Sequence, residues 1–318
     1  MREVGLRLLC APVTRLLCAA MATVWHLLRA LRPKQWPKNV LLYGSFLFNL
    51  NKLWQPMSPQ MWAYLKLATL GFIAFAGLSS GVYLLNDLKD IEQDRQHPTK
   101  RRRPLASGQL APGLALIVAI ILLFGSMVGA LRLSPAFAGS LCVYLVMQVM
   151  YTLWWKHVVI LDVFIIAAGF VLRAVAGALV IQSWVSPWLL IVTFLGALFL
   201  GLCKRRHELL LLDRDAGAHR KILLEYTPQL LDQMIGVTTA STIMAYSLYT
   251  FTAEGMPRSH TMMLTIPYVL YGLFRYLYLT YRHDQGGSPE EILLRDRPIR
   301  VAILLWLATV AGVLAVGR

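Results

Sequence analysis

Acidic residues are scarce in this chain: its 318 residues include 16 Asp and Glu against 31 Lys and Arg, a formal net charge of +15. Charge of either sign is thin, at 15% of residues, whereas 57% are hydrophobic and mean hydropathy is +0.57. That balance excludes a soluble globular domain and implies lipid as the solvent. Cysteine is nearly absent: Cys10, Cys18, Cys142 and Cys203 stand in or beside apolar segments with no C-x-x-C spacing, which argues against a zinc site or a disulfide framework. The histidines show no metal-ligand spacing, and there is no Gly-rich phosphate loop, no nucleophile elbow, no low-complexity tract and no convincing repeat. Nor do the cations form a tail or a stripe with stacking aromatics, so nucleic acid is not the expected partner. They fall between long apolar runs, as in the cytoplasmic loops of membrane proteins.

A hydrocarbon core about 30 Å thick needs roughly 20 apolar residues per helix, and stretches of about that length recur along the chain. The sequence predicts an all-α polytopic membrane protein with nine spans, near 38–55, 61–85, 112–131, 136–155, 158–182, 185–203, 234–253, 262–280 and 299–316. Asn49, Asn51 and Lys52 shorten the first. Lys and Arg concentrate in the second, sixth and eighth loops, which the positive-inside rule assigns to the cytoplasm, together with the N-terminus; nine spans leave the C-terminus outside. Residues 1–31 have the basic start and small residues of a signal peptide, but Arg15, His26 and Arg29 interrupt the apolar run, favouring an amphipathic cytoplasmic segment ahead of a transmembrane domain over 32–318. Gly77 with Gly81, and Ala174 with Ala178, read as helix-packing positions, and Trp36, Trp154 and Trp155 as headgroup anchors.

The sharpest signal is Asn86-Asp87-Leu88-Lys89-Asp90-Ile91-Glu92-Gln93-Asp94, at the end of the second span. Asp87, Asp90 and Asp94 share one helical face, and like charges held together are costly unless a cation sits among them. Carboxylate oxygens suit Mg²⁺, which keeps several waters and commonly bridges to substrate phosphates; the bland alternative is a solvated acidic helix end. The loop that follows is dense in cations, with Arg95 and Lys100 nearest the acids. Arg pairs with phosphate bidentately where Lys does not, although the same charges also serve topology.

Further clusters face the same side: Lys34, Lys38 and Asn39 at the first span, Lys156 and His157 before the fifth, and Lys204, Arg205, Arg206 and Glu208 ending the sixth. Lys204, Arg205 and Glu208 share a face, able to hold a phosphate through the cations and a hydroxyl or metal-bound water through Glu208. Asp162 and Arg173 lie within apolar runs; the first reads equally as a site residue or an ion-pair member, the second as a structural pair.

At these residues the chain resembles the UbiA-type intramembrane prenyltransferases, whose first signature looks like Asn86-Asp87-x-x-Asp90-x-x-x-Asp94 followed by Arg103-Pro104-Leu105 and Gly108. From about residue 30 onward it is similar to one branch, the decaprenyl-phosphate phosphoribosyltransferases. That likeness is carried by Arg32-Pro33-Lys34-Gln35-Trp36 with Lys38-Asn39, Asp94 to Lys100, Lys156-His157, Leu172 to Gly177, Lys204-Arg205 with Glu208, and Pro289 to Arg297. The resemblance implies nine helices around a cavity open to the cytoplasm and the lipid, in a bacterial plasma membrane. It further implies Mg²⁺ on Asn86, Asp87, Asp90 and Asp94, and transfer of 5-phosphoribose from phosphoribosyl diphosphate to a long polyprenyl phosphate with release of diphosphate, toward an arabinose donor for cell-envelope polysaccharide. Lys34, Lys38, Asn39, Arg95, Lys100, Lys156, Lys204, Arg205 and Glu208 are then the expected substrate contacts. One departure bears on this: where ordinary family members carry a second Asp-rich signature, this chain has Lys204-Arg205-Arg206, with Asp213 and Asp215 as a displaced remnant. The rivals are prenyl transfer from a diphosphate to an aromatic or other acceptor, and transport, disfavoured because the strongest cluster lies at a span end and not at midplane. Polyprenyl chain length and association into a homo-oligomer are left open.

Overall fold

The computed structural model describes residues 20–96, 100–184, 186–212, 221–253, 259–283 and 286–316. Apart from one isolated bridge between Leu50 and Trp54, their regular structure is helical. The long helices are α1 (Pro59–Lys89), α2 (Pro112–Leu133), α3 (Pro135–Leu153), α4 (Leu161–Val180), α5 (Pro187–Leu212), α6 (Pro228–Thr252), α7 (Ile266–Arg282) and α8 (Arg297–Val316). Proline opens most of them: its fixed φ suits a first turn, and its missing N–H is one that lacks a partner there anyway. Ser134 and Thr227 complete two of these starts, accepting from the backbone N–H of Phe137 at 3.4 Å and of Leu230 at 3.2 Å.

Among the described residues seven helices are long and apolar enough to cross a membrane: the α1, α2, α3, α4, α5 and α8 regions, and Thr261–Arg282. Their apolar surface is turned outward, with Ile117 57%, Ile121 62% and Phe124 72% exposed on α2 alone. Exposed apolar surface on this scale is a lipid face. The two other predicted spans differ. Residues 38–55 form no continuous α-helix: a 3₁₀ helix, Pro33–Leu42, containing Pro37, leads into the short α-helix Tyr43–Phe48, and the chain turns at Asn49 and Asn51. The 234–253 stretch lies in α6, long enough but lower in hydropathy because of its threonines. Their hydroxyls are satisfied within the helix, Thr238, Thr239 and Thr242 donating to the carbonyls of Met234, Ile235 and Thr238 at 2.6, 2.7 and 2.7 Å.

The chain divides into two compact units, Met1–Trp36 with Ala76–Ser126, and Pro37–Phe75 with Met127–Arg318. In the first, Ala30, Leu84, Leu105, Leu110, Ala115 and Ala119 are buried together, with Leu27, Leu31, Leu88 and Ile91 against them. Small residues set the spacing of α1 and α2, since a Cβ on Gly77 would lie 2.5 Å from Ser126 Oγ and one on Gly81 2.9 Å from Leu123. The helix over 20–30 keeps Met21, Val24, Trp25 and Leu28, at i, i+3, i+4 and i+7, exposed; the rest of the predicted 1–31 segment lies outside the described residues.

In the second unit α4 packs on α3 and α5, α5 on α6, and α7 on α8. Val163, Ala167, Phe199, Leu202, Leu231, Ile235, Tyr276 and Ile299 belong to its main core. Tyr43–Phe48 also packs on α4, and the approach is close: a Cβ on Gly177 would lie 2.1 Å from the Leu42 carbonyl oxygen.

Candidate functional site

Within the first unit the acidic motif sits where α1 gives way to the short helix Ile91–Gln96. The helical bonding is carried over the junction, Asp90 N–H reaching Asn86 O at 3.0 Å and Asp94 N–H reaching Asp90 O at 2.8 Å, so the i, i+3, i+7 face predicted from sequence persists. Asp87 and Asp94 are 4% and 3% exposed; Asp90 is half-buried.

Two arginines without an assigned role in the sequence reading meet these acids. Arg103 Nη1 bridges Asp87 Oδ1 at 3.0 Å and Asp94 Oδ2 at 2.6 Å, and Arg32 Nη2 donates to Asp87 Oδ1 at 2.5 Å. Arg32 lies directly before Pro33 with a left-handed backbone (φ 54), and its guanidinium also covers the Tyr83 ring. Arg103 is held by the turns of its own signature: Arg103 N–H bonds to Lys100 O, Ser107 N–H to Arg103 O, and Gly108, at φ 75, closes onto Leu105 O. Only glycine adopts that backbone cheaply, which accounts for Gly108 in the motif. Trp36, expected as a headgroup anchor, donates to Ser80 Oγ at 3.1 Å.

The expected phosphate ligands of this unit differ in availability. Lys34 is exposed, and Lys100 opens the 3₁₀ turn Lys100–Arg102 half-buried. Arg95 donates to Ala106 O at 3.3 Å and pairs with Glu92 at 2.7 Å, holding the loop as much as offering charge. His97, Pro98 and Thr99 of the resemblance lie outside the described residues, as do Asp213 and Asp215.

The second unit carries a basic group of its own. Lys38 pairs with Glu290 at 2.5 Å, and Lys204 is within electrostatic reach of Glu208, Lys38 and Glu290. Burial raises the Glu290 carboxyl, but the Lys38 ammonium outweighs it and holds the group below its ordinary 4.5. Glu290, not singled out from sequence, belongs to the Pro289–Arg295 helix inside a segment that carried the resemblance. Arg205 is 3% exposed, its Nε on Asp162 Oδ2 at 2.8 Å and its Nη1 on Glu208. Asp162 is 0% exposed and also accepts from Tyr226 OH at 3.1 Å, which settles it as an ion-pair member. Tyr226 OH in turn accepts from Ile160 N–H at 2.6 Å, and burial first, then Asp162, pushes its phenol up to about 12. Arg173 finds no acid among the described residues; it meets Asn39, Gly169 and Tyr144. Lys156 is half-buried in the turn Trp155–His157.

Among the described residues no three His, Cys, Asp or Glu side chains are gathered closely enough to hold an ion by themselves. The donor set still fits Mg²⁺. Asp87 and Asp94 offer only hard oxygens, both within reach of one nitrogen of Arg103, and Mg²⁺ habitually takes one or two carboxylates and completes its shell with water and substrate phosphate.

Buried acids countered by arginine in one unit, two lysines beside Glu290 in the other and, among the described residues, seven apolar helices mark an integral membrane protein. Its residues 54–291 match the model of the UbiA prenyltransferase family, and the chain belongs to that family of transferases. It is 34% identical to a decaprenyl-phosphate phosphoribosyltransferase of Mycobacterium tuberculosis, over 91% of this chain and 94% of that one. A protein of the same name from Corynebacterium glutamicum is 33% identical, over 88% and 84%. Among solved structures, a UbiA homolog from Archaeoglobus fulgidus bound to GPP and Mg²⁺ covers 92% of this chain and 100% of its own, with a TM-score of 0.67 and 20% identity, which speaks to fold.

Proposed function

We propose that this enzyme transfers 5-phosphoribose from phosphoribosyl diphosphate to the phosphate of a long-chain polyprenyl phosphate, releasing diphosphate, as a step toward a lipid-linked arabinose donor for the cell envelope. The observation that carries this reading is the near full-length likeness to relatives bearing that name. The basic Lys204-Arg205-Arg206 run supports it, since a donor with a phosphate beyond its diphosphate needs extra cations.

Asp87, Asp90 and Asp94, with Asn86 supporting, are assigned to Mg²⁺, which supplies charge neutralisation of the departing diphosphate. Arg103 and Arg32 hold two of those carboxylates in position. Lys34, Arg95 and Lys100 are assigned to phosphate oxygens, as are Lys38, Asn39, Lys156 and Lys204. Arg205 serves by orienting Glu208, whose carboxylate accepts from a substrate hydroxyl or a water. The acceptor phosphate is already an anion, so no strong general base is required, and positioning supplies much of the rate.

The same reading takes the protein to a bacterial plasma membrane with its N-terminus and site cytoplasmic, counts Pro33–Phe48 and α6 as the remaining two of nine crossings, and lays the 20–30 helix along the headgroups by its exposed apolar stripe ahead of the transferase domain. The test is a transfer assay with purified protein, Mg²⁺, radiolabelled phosphoribosyl diphosphate and polyprenyl phosphates of several lengths. Label is expected in the organic phase, and Asp90→Asn is expected to abolish it in folded protein. Absence of label with active prenyl transfer from a prenyl diphosphate would turn the assignment to the ordinary family reaction.

A further inference from the structure

Arg173 is a buried cation met by neutral groups. It lies within α4, 5% exposed, and its guanidinium is faced by the rings of Tyr144, Phe170 and Phe75 at 5.0, 5.3 and 5.4 Å. Nη1 donates to Gly169 O at 2.8 Å and Nη2 to Tyr144 OH at 2.9 Å. An ionised side chain at membrane depth is costly even with aromatic faces around it, and in most proteins it is kept for what it does.

What it does here is visible at Asn39. Arg173 Nε donates to Asn39 Oδ1 at 2.8 Å. A guanidinium N–H faces an oxygen and not an NH₂, so this bond fixes which end of the amide is which. The Asn39 Nδ2 group is thereby turned away from Arg173, and among the described residues it has no acceptor although Asn39 is 1% exposed. A buried donor left without a partner is destabilising, and native proteins seldom keep one unless something else completes the bond. The chain neighbour of Asn39 is Lys38, paired with Glu290 and in reach of Lys204. Close packing of Gly177 on the Leu42 carbonyl, one turn from each partner, secures the approach of Asn39 to Arg173.

We propose that Arg173 is a positioning residue that aims the Asn39 amide N–H at a phosphate oxygen of bound substrate. The inference rests on the assignment of Asn39 to substrate phosphate and adds why its side chain points one way. Arg173 itself touches no reacting atom.

The sharpest test is Asn39→Asp in the full-length protein. The carboxylate still accepts from Arg173, and now as an ion pair, so thermal stability is expected to hold or rise. It cannot donate and it repels phosphate, so kcat/KM is expected to fall at least about 100-fold. Wild-type turnover by that variant would overturn the proposal. Arg173→Met, Asn39→Ala and their combination then form a cycle: each single change should cost about 10- to 100-fold, and the double no more than the worse single, because both remove one aimed donor. Multiplying losses would mean that Arg173 acts independently of Asn39. If Arg173→Met does not fold, Arg173→Lys completes the same cycle. A rise in KM for phosphoribosyl diphosphate identifies the oxygen as the donor's, and a rise for polyprenyl phosphate as the acceptor's. Should wild-type protein transfer no phosphoribose at all, the functional reading fails by itself. Thermal stabilisation by Mg²⁺ with inorganic diphosphate then reads the coupling of residues 39 and 173, and additivity there overturns the positioning role.

Discussion

Adding one methyl group at Gly177 should damage the protein more than its size suggests. An ideal Cβ there lies 2.1 Å from Leu42 O and 2.7 Å from Leu42 C and Cα, whereas real Cβ contacts do not fall under 3.0 Å. Both sides of the clash are backbone, so no side chain can swing aside, and α4 and the segment around Leu42 must separate by something of order 1 Å. Overpacking of a well-packed contact costs about 1–3 kcal/mol, and a clash with no soft partner belongs at the upper end. At roughly 2–4 °C per kcal/mol, Gly177→Ala should lower the melting temperature by about 6 °C or more. Two substitutions serve as controls. A Cβ on Gly71 meets only the Val180 methyls, at 3.2 Å, which can shift slightly, and one on Gly139 meets nothing within 4 Å. Gly71→Ala should therefore stay within about 2 °C, and Gly139→Ala should gain the roughly 0.5–1 kcal/mol of helix propensity that alanine holds over glycine. The assay is thermal unfolding of detergent-purified protein by intrinsic fluorescence, with size-exclusion as a check on monodispersity. If Gly177→Ala melts with Gly139→Ala, the close approach does not exist as described.

Three further outcomes are expected. Glu290 is held below its ordinary 4.5, so its ion pair with Lys38 contributes stability that is fully present above that value and lost as pH falls through the lower folded one; the melting difference between wild type and Glu290→Gln should be full near pH 6 and vanish in strong acid. Arg103→Gln removes the bridge between Asp87 and Asp94, and supporting partners of this kind typically cost about 10–100-fold in metal affinity or activity, so Mg²⁺ titration of turnover should shift by that order and Arg103→Lys should recover part of it; an unshifted titration would refute the bridge. Asp162→Asn takes from the buried Arg205 the acid that anchors its Nε and should cost about 3–5 kcal/mol in thermal or denaturant unfolding, with turnover falling because Arg205 no longer holds Glu208 in a fixed place.

Much of this was legible in the sequence, and what was not shares a cause. Apolar runs of spanning length are a local property, so the long helices from α1 to α8 were found with most ends within four residues, although α5 runs nine residues past the expected 203 and α6 begins six before the expected 234. The exception near 38–55 shows the limit of hydropathy: the run is apolar enough, but Pro37 and the turn at Asn49 and Asn51 decide its conformation. The acidic motif was equally local, three carboxylates on one helical face. Its counter-charges were not. Arg32 precedes Asp87 by 55 residues and Arg103 follows it by 16, and no periodicity links them. Likewise Lys38 finds Glu290 only through tertiary packing, and a lysine at a span end has the same sequence signature whether it serves topology or a partner.

The two buried arginines of the second unit show how far such partners alter a reading. From sequence, Arg205 stood in a basic run and looked like a phosphate ligand, while Arg173 stood alone in an apolar helix and looked structural. Arg205 places Nε and Nη1 on Asp162 and Glu208, charges that already compensate it, so drawing it toward a phosphate would strip Asp162, 0% exposed, of its counter-ion. Among the described residues Arg173 has only neutral partners, so no acid there consumes its positive charge, and its side-chain amide contact ends in a donor that has no acceptor among them. A substrate phosphate near Asn39 would therefore gain from Arg173 twice, through the oriented N–H and through an uncompensated charge one residue behind it, whereas Arg205 can contribute only through Glu208. The position of a cation along the helix does not decide its role; which of its partners carries the opposite charge does.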